Sequence, residues 1–340
     1  MRASLAAVIC TAAGCTTFED PSIVLDLRIV AITASLDPTS SSIIHPTYGP
    51  EQVIDIDLTK PPNPTEILAQ LKPTTIEVIV ADPARHRDLR WSMRLCLLGE
   101  DDRCDETHPV IELGSGLISD PDDALTPQRP MADVIPDQQL LAILREAVEA
   151  NPVQALGGIE YGVEVEIADL VDPTTAIYGA KHLRVAGRIP AGRGANMNPY
   201  LNYLDAAIGG IGLLIPRCRC AEADEPDCNI PEMDAGTTVT LFPVEPETVR
   251  ETYITPTLTG GSAELTETIT YQWLAANGSF SDETTGGGHD ILGNQSLLGT
   301  EWRTPRAVKE PMYVPLWVIQ RDERYGVNVL ETCIHVVPPL

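Results

Sequence analysis

Apolar residues alternate with polar ones at a period near two in a series of short segments spread along this chain, which predicts strands rather than helices. Over residues 23–35 they fall at Val24, Leu27 and Ile29, then on the other parity at Val30 and Ile32, an imperfect alternation. Further strands are predicted over 52–58, 75–81 and 89–98, divided by turns holding Pro61, Pro62, Pro64, Pro73 and Pro83. The pattern resumes over 161–168, where Val163, Val165 and Ile167 alternate with Glu164 and Glu166, and over 181–186. It returns again over 237–244, 266–275, 313–321 and 327–337. Only residues 137–150 read as a helix: Leu140, Leu141, Leu144 and Val148 form one stripe behind an Asp137 cap, between Pro136 and Pro152.

These elements predict a mainly β protein with two immunoglobulin-like β-sandwich domains. The first occupies 23–189, with a helical insertion over 115–153 that packs on the sandwich as a lid. The second occupies 236–340. Residues 190–235 are rich in Gly, Pro, Asn and Cys without a clean period, and are expected to form a disulfide-stapled connection.

The first residues carry a different signal. Met1-Arg2 precedes an apolar run from Ala3 to Ile9, and Ala12-Ala13-Gly14 leads into Cys15. The pattern resembles the lipobox of bacterial lipoproteins, which implies a signal peptide over 1–14, lipidation (palmitate among the acyl chains) at Cys15 and a tether over 15–22. Thr16, rather than Asp, after that cysteine implies the outer membrane as destination. No later apolar window reaches the roughly 18 residues of a membrane helix, so the expected membrane attachment is through lipid alone.

A second resemblance lies in the last hundred residues. Tyr271-Gln272-Trp273, Asn277-Gly278-Ser279-Phe280, Trp302-Arg303-Thr304-Pro305 and Leu316-Trp317-Val318-Ile319-Gln320-Arg321-Asp322 with Gly326 follow the order of immunoglobulin-like and PKD-like domains of bacterial surface proteins. The resemblance implies that the central Trp fills a core and that Asp322 and Gly326 mark a late hairpin. By the two-residue period, Tyr271 and Trp273 share the buried face. Leu89-Arg90-Trp91-Ser92-Met93 echoes the same central strand, and 24–32 is similar to the first strand of exported bacterial lipoproteins.

Charge narrows the partners. A formal net charge of -26 repels phosphate backbones, which argues against nucleic-acid binding. Of eight cysteines, Cys10 leaves with the signal and Cys15 takes lipid, leaving Cys96, Cys104, Cys218, Cys220, Cys228 and Cys333 as disulfide candidates. Cys96 and Cys104 can face each other across a hairpin. Cys218 and Cys220 would share a strand face, so one is expected to close on Cys228 and the other on Cys333. The competing reading, zinc on Cys218, Cys220 and Cys228 with a histidine, lacks a second cysteine pair.

Candidate chemistry is sparse. The chain has no Gly-x-Ser-x-Gly elbow, phosphate loop or dinucleotide fingerprint, and His45, His86, His108, His182, His289 and His335 lie in separate segments. No cofactor is expected, although Asp101, Asp102 and Asp105, clamped by Cys96 and Cys104, offer a candidate calcium site, with Asp120, Asp122 and Asp123 second. The expected function is a non-enzymatic, lipid-anchored envelope module, binding or structural, whose partner is another envelope protein, a glycan or other extracellular ligand. The alternative is an envelope-polymer hydrolase using acidic-loop carboxylates.

Overall fold

The computed structural model describes residues 20–36, 47–56, 63–83, 87–119, 127–152, 157–225, 228–257, 259–288 and 296–339. Among them the protein is mainly β, with two α-helices.

The N-terminal half contains β1 (Arg28–Ser35), β2 (Glu51–Ile54), α1 (Pro64–Gln70), β3 (Thr74–Ala81), β4 (Leu89–Cys96), β5 (Ile111–Ile118), β6 (Met131–Val134), α2 (Gln138–Ala150), β7 (Ile159–Asp169) and β8 (Ile177–Gly187). A five-stranded sheet, β2-β8-β7-β4-β5, faces a three-stranded one, β1-β3-β6. Their shared core contains Ile76, Val78, Met93, Val163, Val165 and Leu183, all buried because alternate residues of each strand point inward. Helix α2 adds Leu140, Ile143 and Leu144 to that core. Its start is fixed by Asp137, whose carboxylate accepts from the amides of Gln139 and Leu140.

Residues 115–153 are more than a helical insertion. They carry the end of β5, which is an edge of the larger sheet, and β6, which pairs with β3. Within the stripe expected for α2, Leu140, Leu141 and Leu144 are buried, while Val148 is exposed and Ile143 takes its place.

The C-terminal half contains β9 (Tyr203–Ile208), β10 (Ile211–Pro216), β11 (Glu232–Asp234), β12 (Thr238–Pro243), β13 (Thr252–Pro256), β14 (Ser262–Thr266), β15 (Ile269–Ala275), β16 (Ser279–Phe280), β17 (Thr284–Gly286), β18 (Thr300–Arg303), β19 (Met312–Asp322) and β20 (Val327–Val337). Two five-stranded sheets, β10-β9-β12-β18-β16 and β11-β20-β19-β15-β17, enclose a second core around Tyr271, Trp273 and Trp302. Tyr271 and Trp273 share that buried face. Residues 190–235, expected as a connection, instead supply β9, β10 and β11. The turn between β9 and β10 is Gly209-Gly210 with φ of 56° and 86°, a left-handed pair that glycine adopts without steric penalty.

A third apolar seam joins the halves. Val30, Ala31, Ile79 and Ala81, on the outer face of β1 and β3, pack against Leu274, Trp317, Ile319 and Val329 on the outer face of β15, β19 and β20. The sheets therefore stack as four layers with three cores, and the strands β1, β3, β15, β19 and β20 of the two inner layers contribute to a core on each face. Each large side chain in the seam contributes about 1.5–3 kcal/mol relative to exposure. The stretch before β1 extends the join, since the Val24 amide donates to Ala275 O at 2.8 Å and the Ala275 amide donates to Ser22 O at 3.0 Å.

Candidate functional site at the junction of the halves

The turn between β19 and β20 enters the N-terminal half beside β2, β7 and β8. Its shape comes from Asp322, whose Oδ1 accepts from the amides of Arg324 (2.8 Å) and Gly326 (2.7 Å). Asn196 Nδ2 donates to both oxygens of Asp322 and to Arg324 O. Position 326 has to be glycine here, because a Cβ would lie 2.0 Å from Asp322 Oδ2.

So shaped, the turn projects Arg324 into a buried ionic cluster. Its Nε and Nη2 donate to Glu51 Oε2 at 2.8 and 2.6 Å, its Nη1 reaches Glu267 Oε1 at 3.3 Å, and Nη2 also donates to Gly194 O. Arg193 donates to the other oxygen of Glu51 at 2.7 Å. Glu51, Arg193, Glu267 and Arg324 are all buried; the Glu51 carboxylate and the two guanidinium charges are tolerable only in this mutual arrangement, and burial holds Glu267 largely neutral near pH 7.

The next residue, Tyr325, stacks on His182 with ring centroids 5.1 Å apart and lies under the Arg184 guanidinium at 4.8 Å. Its hydroxyl donates to Glu160 Oε1 at 3.1 Å, and its carbonyl accepts from Lys181 Nζ.

Burial dominates the electrostatics of the junction. It pushes the Glu267 carboxyl up to about 8, with the nearby charges of Asp322 and Glu251 adding to the rise and Arg324 offsetting part of it. Asp322 and Glu251 are raised for the same first reason. Burial lowers Lys181 to about 7; Asp322 opposes that shift and the Arg321 charge reinforces it.

Three clefts border this turn and its receiving strands. One of about 350 Å³ lies between β1, β8 and the turn, where Lys181, Asp322 and Tyr325 line it. A second, of about 290 Å³, is lined by Glu51, Arg184, Arg193, Tyr253 and Arg324. A third, of about 180 Å³, reaches from His182 and Glu160 to the end of α2.

The cysteines lie elsewhere. Cys96 is bonded to Cys104 with Cα atoms 5.5 Å apart, Cys218 to Cys228 at 5.4 Å, and Cys220 to Cys333 at 5.0 Å. With their sulfurs so joined, Cys218, Cys220 and Cys228 hold no free thiolate for zinc. Three disulfides fit an oxidising compartment outside the cytoplasm. Among the described residues, no helix is long and apolar enough to cross a membrane.

The calcium candidate is not assembled. Asp101 Oδ1 accepts from the Arg103 amide, Asp102 Oδ1 meets His182 Nε2 at 3.1 Å, and Asp105 Oδ1 accepts from the Thr107 amide and hydroxyl. These carboxylates serve separate local partners instead of converging. Among the described residues no group of three or more His, Cys, Asp or Glu is placed to hold a metal ion. Cys15, the signal segment, and Asp120, Asp122 and Asp123 lie outside the described residues.

Sequence reasoning missed the buried cluster. Glu51, Arg193 and Arg324 come from three distant segments, and nothing in their local patterns marks them. Asp322 and Gly326 were the available signal, since they delimit the turn that carries Arg324.

No family model matches the chain, and none of the curated proteins does. Among solved structures it is similar to red sea bream transglutaminase, at 12% identity and a TM-score of 0.22, over 78% of this chain and 29% of that one. It is similar to the periplasmic chaperone SfaE at 10% identity and a TM-score of 0.24, over 91% and 100%. It is also similar to dimeric latent PorU from Porphyromonas gingivalis at 9% identity and a TM-score of 0.19, over 93% and 24%. Scores of this size carry no argument about activity.

Proposed function

We propose that this protein is a non-enzymatic module of the bacterial cell envelope. It is anchored at the outer membrane by lipid on Cys15, and presents two immunoglobulin-like sandwiches to a neighbouring envelope protein or an extracellular ligand such as a glycan. The observation that supports this reading best is the junction, where an apolar seam and the Arg324 cluster join the halves into one body suited to holding surface loops at fixed separation. The carboxylates there serve that join: Glu51 is held by Arg193 and Arg324, Glu267 by Arg324, and Glu160 by Arg184 and Tyr325. A glycosidase-like mechanism needs two free carboxyl groups about 5–10 Å apart facing an open cleft; Glu51 and Glu160 do line the 290 Å³ cleft, but each is held by an arginine.

Two measurements test the proposal together. Mass spectrometry of the envelope-extracted protein is expected to find Cys15 acylated at a new N-terminus, with the other six cysteines oxidised. Cross-linking in intact cells is expected to capture a protein or glycan neighbour. An uncleaved N-terminus, or an intact lipoprotein that captures no neighbour, overturns it.

A further inference from the structure

We propose that the 350 Å³ cleft between β1, β8 and the β19–β20 turn is a binding site for a small organic anion, a monocarboxylate with an apolar body, whose carboxylate meets Arg321 and Lys181. This goes beyond the envelope-module reading and does not depend on it.

The first argument is local charge. Arg321 donates to Gln272 Oε1 at 2.7 Å, and no carboxylate among the described residues lies within ion-pair distance of it. Lys181 is buried and among the described residues has one hydrogen bond, to Tyr325 O, while an ammonium carries three donors. Lys181 feels the charges of both neighbours, Asp322 favouring its protonated form and Arg321 opposing it. Asp322 is the neighbouring acid, but its oxygens are committed to the turn amides and Asn196. In a chain of net charge -26, this cleft places Arg321, together with a Lys181 that burial leaves about half protonated near neutral pH, beside one carboxylate already in use. An incoming carboxylate would supply the missing acceptors, and a guanidinium binds carboxylates in a planar, two-point fashion.

The second argument is shape. The opposite wall comes from β1, where Ile29 and Ile32 reach toward β8. They approach so closely that a Cβ on Gly179 would lie 3.3 and 2.9 Å from their Cδ1 atoms. Val327, from β20, adds to the apolar lining. The volume falls in the range of small-molecule sites. Repulsion from distant acidic loops is screened over about 8 Å at physiological salt, so the near cations decide.

Calorimetric titration of the full chain at near-neutral pH and about 0.15 M salt, with 4-phenylbutyrate and its neutral amide, tests the site. Saturable binding of the acid, about ten-fold or more tighter than the amide, is expected. Arg321→Gln, which keeps a donor for Gln272, should remove that preference, and Lys181→Met should reduce it. The wild-type comparison decides even if a variant folds poorly. No binding of the acid, equal binding of acid and amide, inorganic phosphate binding as tightly as the acid, or a preference that survives both substitutions would each overturn the proposal.

Discussion

Replacing Arg324 by Met tests whether the buried cluster fastens the halves together. The substitution keeps an unbranched side chain but removes two hydrogen bonds to Glu51, one to Glu267 and one to Gly194 O. Arg193 still serves the other oxygen of Glu51, so that carboxylate loses part of its compensation rather than all of it. Removing one partner from a buried ion pair costs about 3–5 kcal/mol, since the remaining charge stays out of water. Glu51→Gln should cost a similar amount by leaving Arg193 and Arg324 opposite a neutral amide. The double variant removes both members of the main pair and should lose less than the sum of the singles, by about 0.5–3 kcal/mol. Urea unfolding at neutral pH with disulfides intact measures all three. A loss under about 1 kcal/mol for Arg324→Met, or strict additivity in the cycle, would refute the reasoning, because either result means the guanidinium is not what neutralises Glu51.

Three further outcomes follow from the same structure. Glu267, raised to about 8 from 4.5, keeps a proton in the folded state that the unfolded chain releases, so its contribution is complete below pH 4.5 and lost as pH rises through 8. Urea midpoints at pH 5 and 8 should therefore differ more for wild type than for Glu267→Gln; equal pH slopes would contradict this. The Cys220–Cys333 bond spans 113 positions and Cys96–Cys104 only 8, so chain-entropy loss predicts about 5 and about 2.5 kcal/mol for the two double serine variants. Chemical denaturation that reversed this ranking would exclude loop closure as the dominant effect. Gly278→Ala places a Cβ 2.5 Å from Trp302 Nε1 and 2.6 Å from Arg303 O at a φ of 98°, so it should cost about 2 kcal/mol or more. An unchanged melting temperature would rule that out.

The strands with clean alternation were legible because one parity of each meets a core. In β7, Val163, Val165 and Ile167 are buried against the first core, as their spacing says. β1 reads imperfectly for two physical reasons: a register shift between Ile29 and Ala31 exchanges its parities, and both of its faces are buried. Residues 203–216 lack a clean period and so read as part of a connection, yet Gly209-Gly210 between two apolar runs is a hairpin signal. The candidate site was far less legible. Its charges are brought together only by the docking of two halves, so no short window contains both Glu51 and Arg324, while Asp101 and Asp105, which attract attention in the sequence, use their carboxylates on their own turn.

The seam between the halves sets a schedule for biosynthesis. Ala81 and Val329 meet there, so the outward face of the β1–β3 sheet waits for roughly 250 more residues to be made before it is covered. At ordinary elongation rates that interval is on the order of ten to fifty seconds. Throughout it, a nascent chain with a finished first core displays Val30, Ala31, Ile79 and Ala81 to whatever is nearby, which makes interrupted chains sticky and gives a holding chaperone a defined surface to grip.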